Sequence, residues 1–201
     1  MRLIRDAVAA TLEAFTPITA APSEHRAAAV AITLVTGDNG ETAFLLTRRS
    51  AKLRAHRGQW ALPGGRLEPG EDAGTGARRE LHEELAVAVP PEEVLGVLDD
   101  YVTRSGYRIT PVVVWAIDPG HAVTPSAAEV ASVHTIPIRE IDVEPRFITI
   151  PESSRPVIQV PLRDSLIHAP TGAILHQFRE VVLHGRPTRV VDYEQPVFAW
   201  R

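Results

Sequence analysis

Five charged residues in one short stretch have types and spacing suited to chemistry: Glu71, Arg79, Glu80, Glu83 and Glu84. Residues three and four apart on a helix stand side by side, so Glu80, Glu83 and Glu84 would share one face. Like charges at that spacing destabilise an isolated helix by about 0.2–0.5 kcal/mol per pair. A hard divalent cation such as Mg²⁺, which takes oxygen ligands, would turn that repulsion into binding. An acidic helix face that simply meets solvent is the alternative for such a run taken alone.

The surrounding residues predict how the cluster is held. Pro63-Gly64-Gly65 reads as a turn that lets backbone approach a ligand, and Pro69-Gly70 is a second breaker. Glu71 and Asp72 are expected to open a helix whose acidic first turn suits the positive end of its dipole. Ala77, Leu81 and Leu85, at i, i+4 and i+8, give that helix an apolar stripe to bury, with the acidic face beside it at the edge of the core.

The pattern from Gly65 through Glu71, Arg79-Glu80-Leu81 and Glu83-Glu84 to Ala86-Val87 resembles the Nudix box of the Nudix hydrolases. One position departs, since the family has glycine where this chain has Ala86. A glycine there would end the helix in a left-handed conformation, which alanine adopts at a cost of about 1 kcal/mol. The resemblance implies an α/β fold, a Nudix-type α/β/α sandwich around a mixed β-sheet, with the box as loop-helix-loop. It also implies hydrolysis of a nucleoside diphosphate linked to another moiety. Mg²⁺ or Mn²⁺ on Glu80, Glu83 and Glu84 would neutralise the diphosphate and orient the attacking water.

The same resemblance extends to further residues. Arg79 projects about 100° around the helix from Glu80, so it is expected to hold Glu71 by a charge-assisted pair and fix the loop against the helix. Gly64 and Gly65 would bring backbone groups to the metal and phosphates. Many Nudix enzymes place another glutamate on a loop beyond the box as ligand or base. Glu129 is the candidate here, against the alternative of a solvent-facing glutamate at a strand start.

The chain as a whole sets bounds. Its 201 residues, 44% hydrophobic and 23% charged, suit one sizeable globular core. A net charge of −4 and a pI near 6.1 predict no global attraction to nucleic acid or to an anionic membrane, so a polyanion must be bound locally. The absence of cysteine excludes disulfides, thiolate nucleophiles and cysteine-based zinc sites. No apolar run approaches the roughly 20 residues that span a bilayer. The first residues read as an amphipathic helix rather than a signal peptide, and a cytoplasmic protein is expected.

A local place for a polyanion lies just upstream of the box, where five Lys or Arg fall in the ten residues from Arg48 to Arg57. Leu45-Leu46-Thr47, Arg49-Ser50, Arg54, Gly58 and Pro63-Gly64-Gly65 resemble the motif of the coenzyme A diphosphatase branch of the Nudix family, with Leu62 in place of its phenylalanine. Arg49, Arg54, His56 and Gln59 are the side chains expected to bind substrate, with guanidinium suited to the extra 3′-phosphate. The products would be 3′,5′-ADP and 4′-phosphopantetheine. Alternatives are hydrolysis of ADP-ribose or another nucleoside diphosphate derivative, and a nucleotide-binding regulator without turnover. A homodimer through the N-terminal helix or the C-terminal strands fits the family as well.

The remaining punctuation predicts an N-terminal helix over 2–15 with a linker to residue 24, then one domain with a C-terminal extension over 25–201. Strands are expected at 28–35 and 42–46 around an Asn39-Gly40 hairpin, at 94–103, 107–117 and 131–138, and near 147–150 and 157–160. A helix is expected over 171–183, with short strands at 189–192 and 197–200.

Overall fold

The computed structural model describes residues 1–21, 25–50, 58–116 and 123–200. Its centre is the parallel pair of β1 (Arg26–Thr36) and β7 (Tyr107–Trp115), in register from Arg26 opposite Tyr107 to Leu34 opposite Trp115. A strand covered on both faces needs apolar residues at consecutive positions. Accordingly Ala28, Ala29, Ala31, Ile32, Leu34 and Val35 of β1 are all buried.

Around that pair forms a mixed sheet of eight strands. β2 (Thr42–Arg49) returns antiparallel to β1 through the predicted turn, where Asn39 and Gly40 both take positive φ. The short strands β3 (Trp60–Ala61) and β4 (Gly64–Arg66) pair with β2 and β1 respectively. On the far side, β5 (Val94–Val97) and β6 (Tyr101–Val102) pair with β7, and β8 (Val130–Pro137) runs antiparallel to β2.

The two faces of β1 build two cores. Ala29, Ala31 and Val35 pack with Ala77, Leu81 and Leu85 of α2 (Ala73–Leu85), the helix that carries the acidic cluster. Alanines on both sides of that contact bring the helix close to the sheet. Ile32 and Leu34 face the other way, toward Val8 and Leu12 of α1 (Arg5–Ala14) and Ile174 and Phe178 of α3 (Thr171–Phe178). The result is a mixed sheet flanked by helices, the α/β architecture expected. A smaller sheet of β9 (Arg146–Ile150), β10 (Ser153–Leu162) and β11 (Ser165–His168) follows, and α3 continues into a π-helical turn over Arg179–Leu183.

Three expectations change. The strand expected over 94–103 is broken, because Asp99 and Asp100 turn inward as hydrogen-bond acceptors. Asp99 receives the Ile18 N–H at 2.7 Å and Arg189 at 2.8 Å, while Asp100 receives the Ala20 N–H at 3.0 Å and the Thr110 hydroxyl at 2.6 Å. Residues 197–199 form a 3₁₀ turn behind Pro196 rather than a strand, and 189–192 join no sheet. β11 was not anticipated; it pairs with β10 through a tight turn at Arg163, which has φ 50°.

Candidate active site

The acidic helix begins one residue later than its first acidic residues suggest. Asp72 is its N-cap, accepting the Thr75 N–H at 3.0 Å and the Thr75 hydroxyl at 2.7 Å, and Glu71 stands just outside. Ala77, Leu81 and Leu85 have no exposed surface, as the stripe requires. Glu84 follows Leu81 by three residues and so turns inward, where only 5% of it is exposed. Glu80 is half-buried and Glu83 exposed.

The helix ends at Ala86, in the left-handed conformation with φ 58° and ψ 22°, its N–H donating to the His82 carbonyl at 2.8 Å. Alanine therefore does what the family's glycine would do, with the steric strain of its Cβ. The last carbonyls are met from the loop that leads to β8: the Ser126 N–H donates to Glu84 at 2.8 Å and the Thr124 N–H to Leu85 at 2.9 Å. That loop leaves Glu129 exposed at the start of β8, close enough for its charge to raise Glu84 and Glu80, and the Glu129 carbonyl accepts the Ser50 N–H at 2.8 Å.

Arg79 does more than hold Glu71. Its Nε and Nη2 donate to the two Glu71 oxygens at 3.0 Å each, and Nη2 also donates to the Arg66 carbonyl at 2.9 Å. Contrary to the expectation that it points away from Glu80, Nη1 also reaches Glu80 at 3.0 Å and Glu83 at 3.2 Å. The direction of its Cα–Cβ bond fixes neither, because the long side chain curls back along the helix. The hydrogen bonds from Arg79 hold the Glu71 carboxyl below its ordinary range, and the Glu71 pair raises Arg79.

Two glycines let the loop approach these carboxylates. A Cβ on Gly65 would stand 2.3 Å from Glu80 Oε1, so only glycine leaves the carboxylate where it is. A Cβ on Gly64, which has φ 155°, would stand 2.3 Å from the Ala29 carbonyl oxygen. The Gly64 N–H instead bonds the Glu84 carboxylate.

Burial is the main influence on the inner carboxylates. It pushes Glu84 up to about 7, against the pull of Arg49, with Glu129 and Glu80 adding repulsion. Glu80 is raised for the same first reason, although its hydrogen bond from Arg79 opposes this. Arg49, at the end of β2, acts on the charge of Glu84, and its buried Nε has no hydrogen-bond partner among the described residues.

Among the described residues, no three acidic or histidine side chains stand together as a ready-made metal cage. Arg79 engages Glu80 and Glu83, while Glu84 is turned toward Gly64. The donor set still suits a hard cation: Glu80, Glu84 and Glu129 offer only oxygen and repel one another, and a divalent charge would relieve the cost of burying Glu84. Glu83 could join by exchanging Arg79 for the ion.

The basic run is only partly in view. Arg54 and His56 lie outside the described residues. The Gln59 carbonyl accepts the Arg49 N–H at 3.1 Å, which places Gln59 beside the end of β2. Arg48 turns to the other face, its guanidinium 4.0 Å from the Trp60 ring centroid and donating to the Gly58 carbonyl at 2.7 Å. The doublet Arg48-Arg49 thus divides between two surfaces. The period of two in a strand could have shown this from the sequence.

Comparison with known proteins agrees with this geometry. The NUDIX domain model matches residues 25–159. Nudix hydrolase 3 of Caenorhabditis elegans is 37% identical over 144 residues, covering 70% of this chain and 59% of that protein. An uncharacterized Nudix hydrolase NudL of Citrobacter koseri is 44% identical over 120 residues, covering 58% of this chain and 59% of that one. The chain thus spans about three fifths of the length of these curated relatives. Among solved structures, a Nudix hydrolase from M. smegmatis, RenU, superposes with a TM-score of 0.53 at 23% identity, covering 79% of this chain and 86% of that one. A NUDIX hydrolase from Nitrosomonas europaea gives a TM-score of 0.52 at 21% identity, covering 83% and 77%. These last two likenesses concern the fold.

Proposed function

Because this chain belongs to the Nudix family, we propose that it is a divalent-metal-dependent hydrolase of a diphosphate linkage, with coenzyme A or a derivative as substrate. The observation that carries the hydrolase reading is the close approach of the Gly64-Gly65 backbone to the carboxylates of Glu84 and Glu80, with Arg49 near enough to act on the charge of Glu84. The upstream residues Arg49-Ser50, Gly58 and Pro63-Gly64-Gly65 support the choice of substrate through their resemblance to the coenzyme A diphosphatase motif.

Glu80, Glu83 and Glu84 would hold the cation, Mg²⁺ or Mn²⁺, whose positive charge lowers the cost of bringing a nucleophile to a diphosphate. The chain's own residues supply the rest. Arg79 positions the loop and the acidic helix through Glu71 and the Arg66 carbonyl. Arg49, which already draws on the charge of Glu84, offers the phosphates a cation. Glu84 and Glu129 are the candidates to take the proton of the attacking water. That water bonds to one phosphorus, the bridging P–O bond breaks, and 3′,5′-ADP and 4′-phosphopantetheine leave.

The test is product analysis after incubation with Mg²⁺ or Mn²⁺ and, separately, coenzyme A, ADP-ribose, NADH and nucleoside triphosphates. Release of 3′,5′-ADP from coenzyme A in clear preference to the others is the expected result. Preferred turnover of ADP-ribose keeps the hydrolase and removes the coenzyme A assignment. Glu83→Gln should abolish turnover; a variant as active as the parent would sink the metal assignment.

A further inference from the structure

The small sheet of β9, β10 and β11 leaves one edge open. Among the described residues, β9 pairs with β10 on one side and with no strand on the other. The large sheet treats its edge differently: β5 is partly buried along its length, and Leu12 of α1 lies over it so closely that a Cβ on Gly96 would stand 2.9 Å from the Leu12 Cβ. On β9, by contrast, Arg146 to Thr149 are all exposed. Phe147 is 48% and Ile148 42% exposed, on opposite faces of an aromatic and β-branched strand with a single charge. An open apolar edge of this kind is a template for pairing with another chain.

The direction of its free backbone groups follows from the far side of β10. The Pro156 carbonyl accepts the Glu194 N–H at 2.8 Å, and Val157 stands beside Glu194 in parallel. Pro156 and Ile158 therefore turn their backbone polar groups away from β9, while Val157 turns its own toward Ile148, its partner there. By alternation, the N–H and C=O of Phe147 and Thr149 point outward. No loop backbone among the described residues takes them up. The hairpin's bulge falls on β10, where three residues between Ser153 and Val157 stand against Thr149 alone, so the irregularity is not on the open edge.

These outward groups match a second copy of themselves. With two β9 strands antiparallel about a two-fold axis at Ile148, Phe147 of each copy exchanges both backbone hydrogen bonds with Thr149 of the other. The Ile148 side chains then meet on the axis, where Cα atoms approach to about 4.5 Å. Arg146, on the same face, stands diagonal to the exposed Glu152 of the other copy, within reach of a long side chain. Glu144, the neighbouring carboxylate, is held by Arg179 at 2.8 Å. Pro145 and Pro151 bracket the strand and offer no N–H, which confines the ladder to β9 itself.

We propose that β9 is a self-association edge, through which two copies of this chain pair antiparallel about Ile148 and join their small sheets into one. A contact of this size belongs to the weak class of interfaces, so association on the order of tens of micromolar is expected. Sedimentation equilibrium of the full chain from about 1 to 300 µM should show monomer giving way to dimer and to nothing larger. Thr149→Pro removes an outward N–H without touching a bond to β10, and Ile148→Lys sets two like charges against each other on the axis. Each should weaken association at least tenfold while keeping the parent's circular dichroism. Val191→Lys, at another exposed apolar residue, should leave it unchanged.

The register has a readout of its own, which holds even if those strand variants do not fold. The chain has no cysteine, so Ile148→Cys puts its only thiol on the axis, and mild oxidation of the folded protein should give a covalent dimer. In Ile150→Cys, on the same face, the two thiols would lie four strand residues apart, about 14 Å, and should not cross-link. A protein that stays monomeric throughout, a dimer that survives both Thr149→Pro and Ile148→Lys, an equal loss in Val191→Lys, or equal cross-linking from positions 148 and 150 would each overturn the inference.

Discussion

Arg79 meets Glu71 edge to edge, with two nitrogen–oxygen contacts of 3.0 Å, and from the same guanidinium spans the Arg66 carbonyl and the carboxylates of Glu80 and Glu83. One planar group thereby joins the glycine loop to the acidic helix. Lysine cannot reproduce a planar fork. Arg79→Lys should lower stability by about 1–2 kcal/mol, the scale of charge-assisted hydrogen bonds in a partly exposed site, and cut turnover at least tenfold. Urea unfolding and steady-state kinetics check the two effects separately.

The two loop glycines should fail differently. In Gly65→Ala the new Cβ meets only the end of a flexible side chain, so Glu80 moves, stability changes little and turnover drops by tenfold or more. In Gly64→Ala the Cβ meets the Ala29 carbonyl and the backbone of Val30, and the variant should lose about 3 kcal/mol or more. Equal destabilisation of the two would contradict the described approach of loop to helix.

Ala86→Gly should stabilise the protein by about 1 kcal/mol, since glycine takes the left-handed helix end without the Cβ clash. A rise in Tm of about 2–4 °C with turnover unchanged is the expected outcome for a chain of this size. A drop in Tm would mean that the Ala86 methyl contributes packing that outweighs its strain.

Cation binding should be visible without any substrate. Mg²⁺ at a hundredfold excess over its Kd stabilises a protein by about 2.7 kcal/mol if it binds only the folded form. Glu84→Gln should remove that gain in a thermal scan. Persistence of the full Mg²⁺ shift in the variant would place the ion elsewhere.

Acid sensitivity should arise far from the site, at two buried carboxylates, Glu180 and Glu194, and Glu180 isolates one share of it. The Arg186 side chain, with Arg179 beside it, holds this carboxyl down at about 2, from an ordinary 4.5. A depressed folded-state pKa gives stability that is complete above 4.5 and disappears as the pH falls toward 2. The loss from this group is on the order of 3 kcal/mol. Glu180→Gln should be less stable than the parent at pH 7 and show a flatter decline between pH 5 and pH 2. Parallel declines would show that Glu180 contributes nothing to the acid sensitivity.

What the sequence disclosed was mostly local. The Asn39-Gly40 turn, the buried run of β1 and the stripe Ala77-Leu81-Leu85 are written within a few residues of themselves. So is the acidic cluster. The break at Asp99-Asp100 was not legible, because its cause lies in partners remote in the chain, Ile18, Ala20 and Arg189. The 3₁₀ turn at 197–199 looked like a strand because its residues are apolar, yet Pro196 and the lack of a neighbouring strand decide otherwise. The wider reach of Arg79 depends on the rotamer of a long side chain, which no spacing rule fixes. The open edge of β9 carries no motif at all, and only the tertiary arrangement leaves it without a neighbouring strand among the described residues.

The parallel pairing of β1 with β7 also sets a timetable for synthesis. The apolar β1 leaves the ribosome well before its principal partner, with the whole acidic helix made in between. At about 5–20 residues per second the wait is on the order of 5–15 s. In that interval the β2 hairpin, the β4 edge and, once made, α2 can shield β1, while the edge that β7 will pair stays open. Yield in the cell should therefore depend on translation speed and chaperone supply more than equilibrium stability suggests, because the strand at the centre of the finished molecule is the one left longest half-covered.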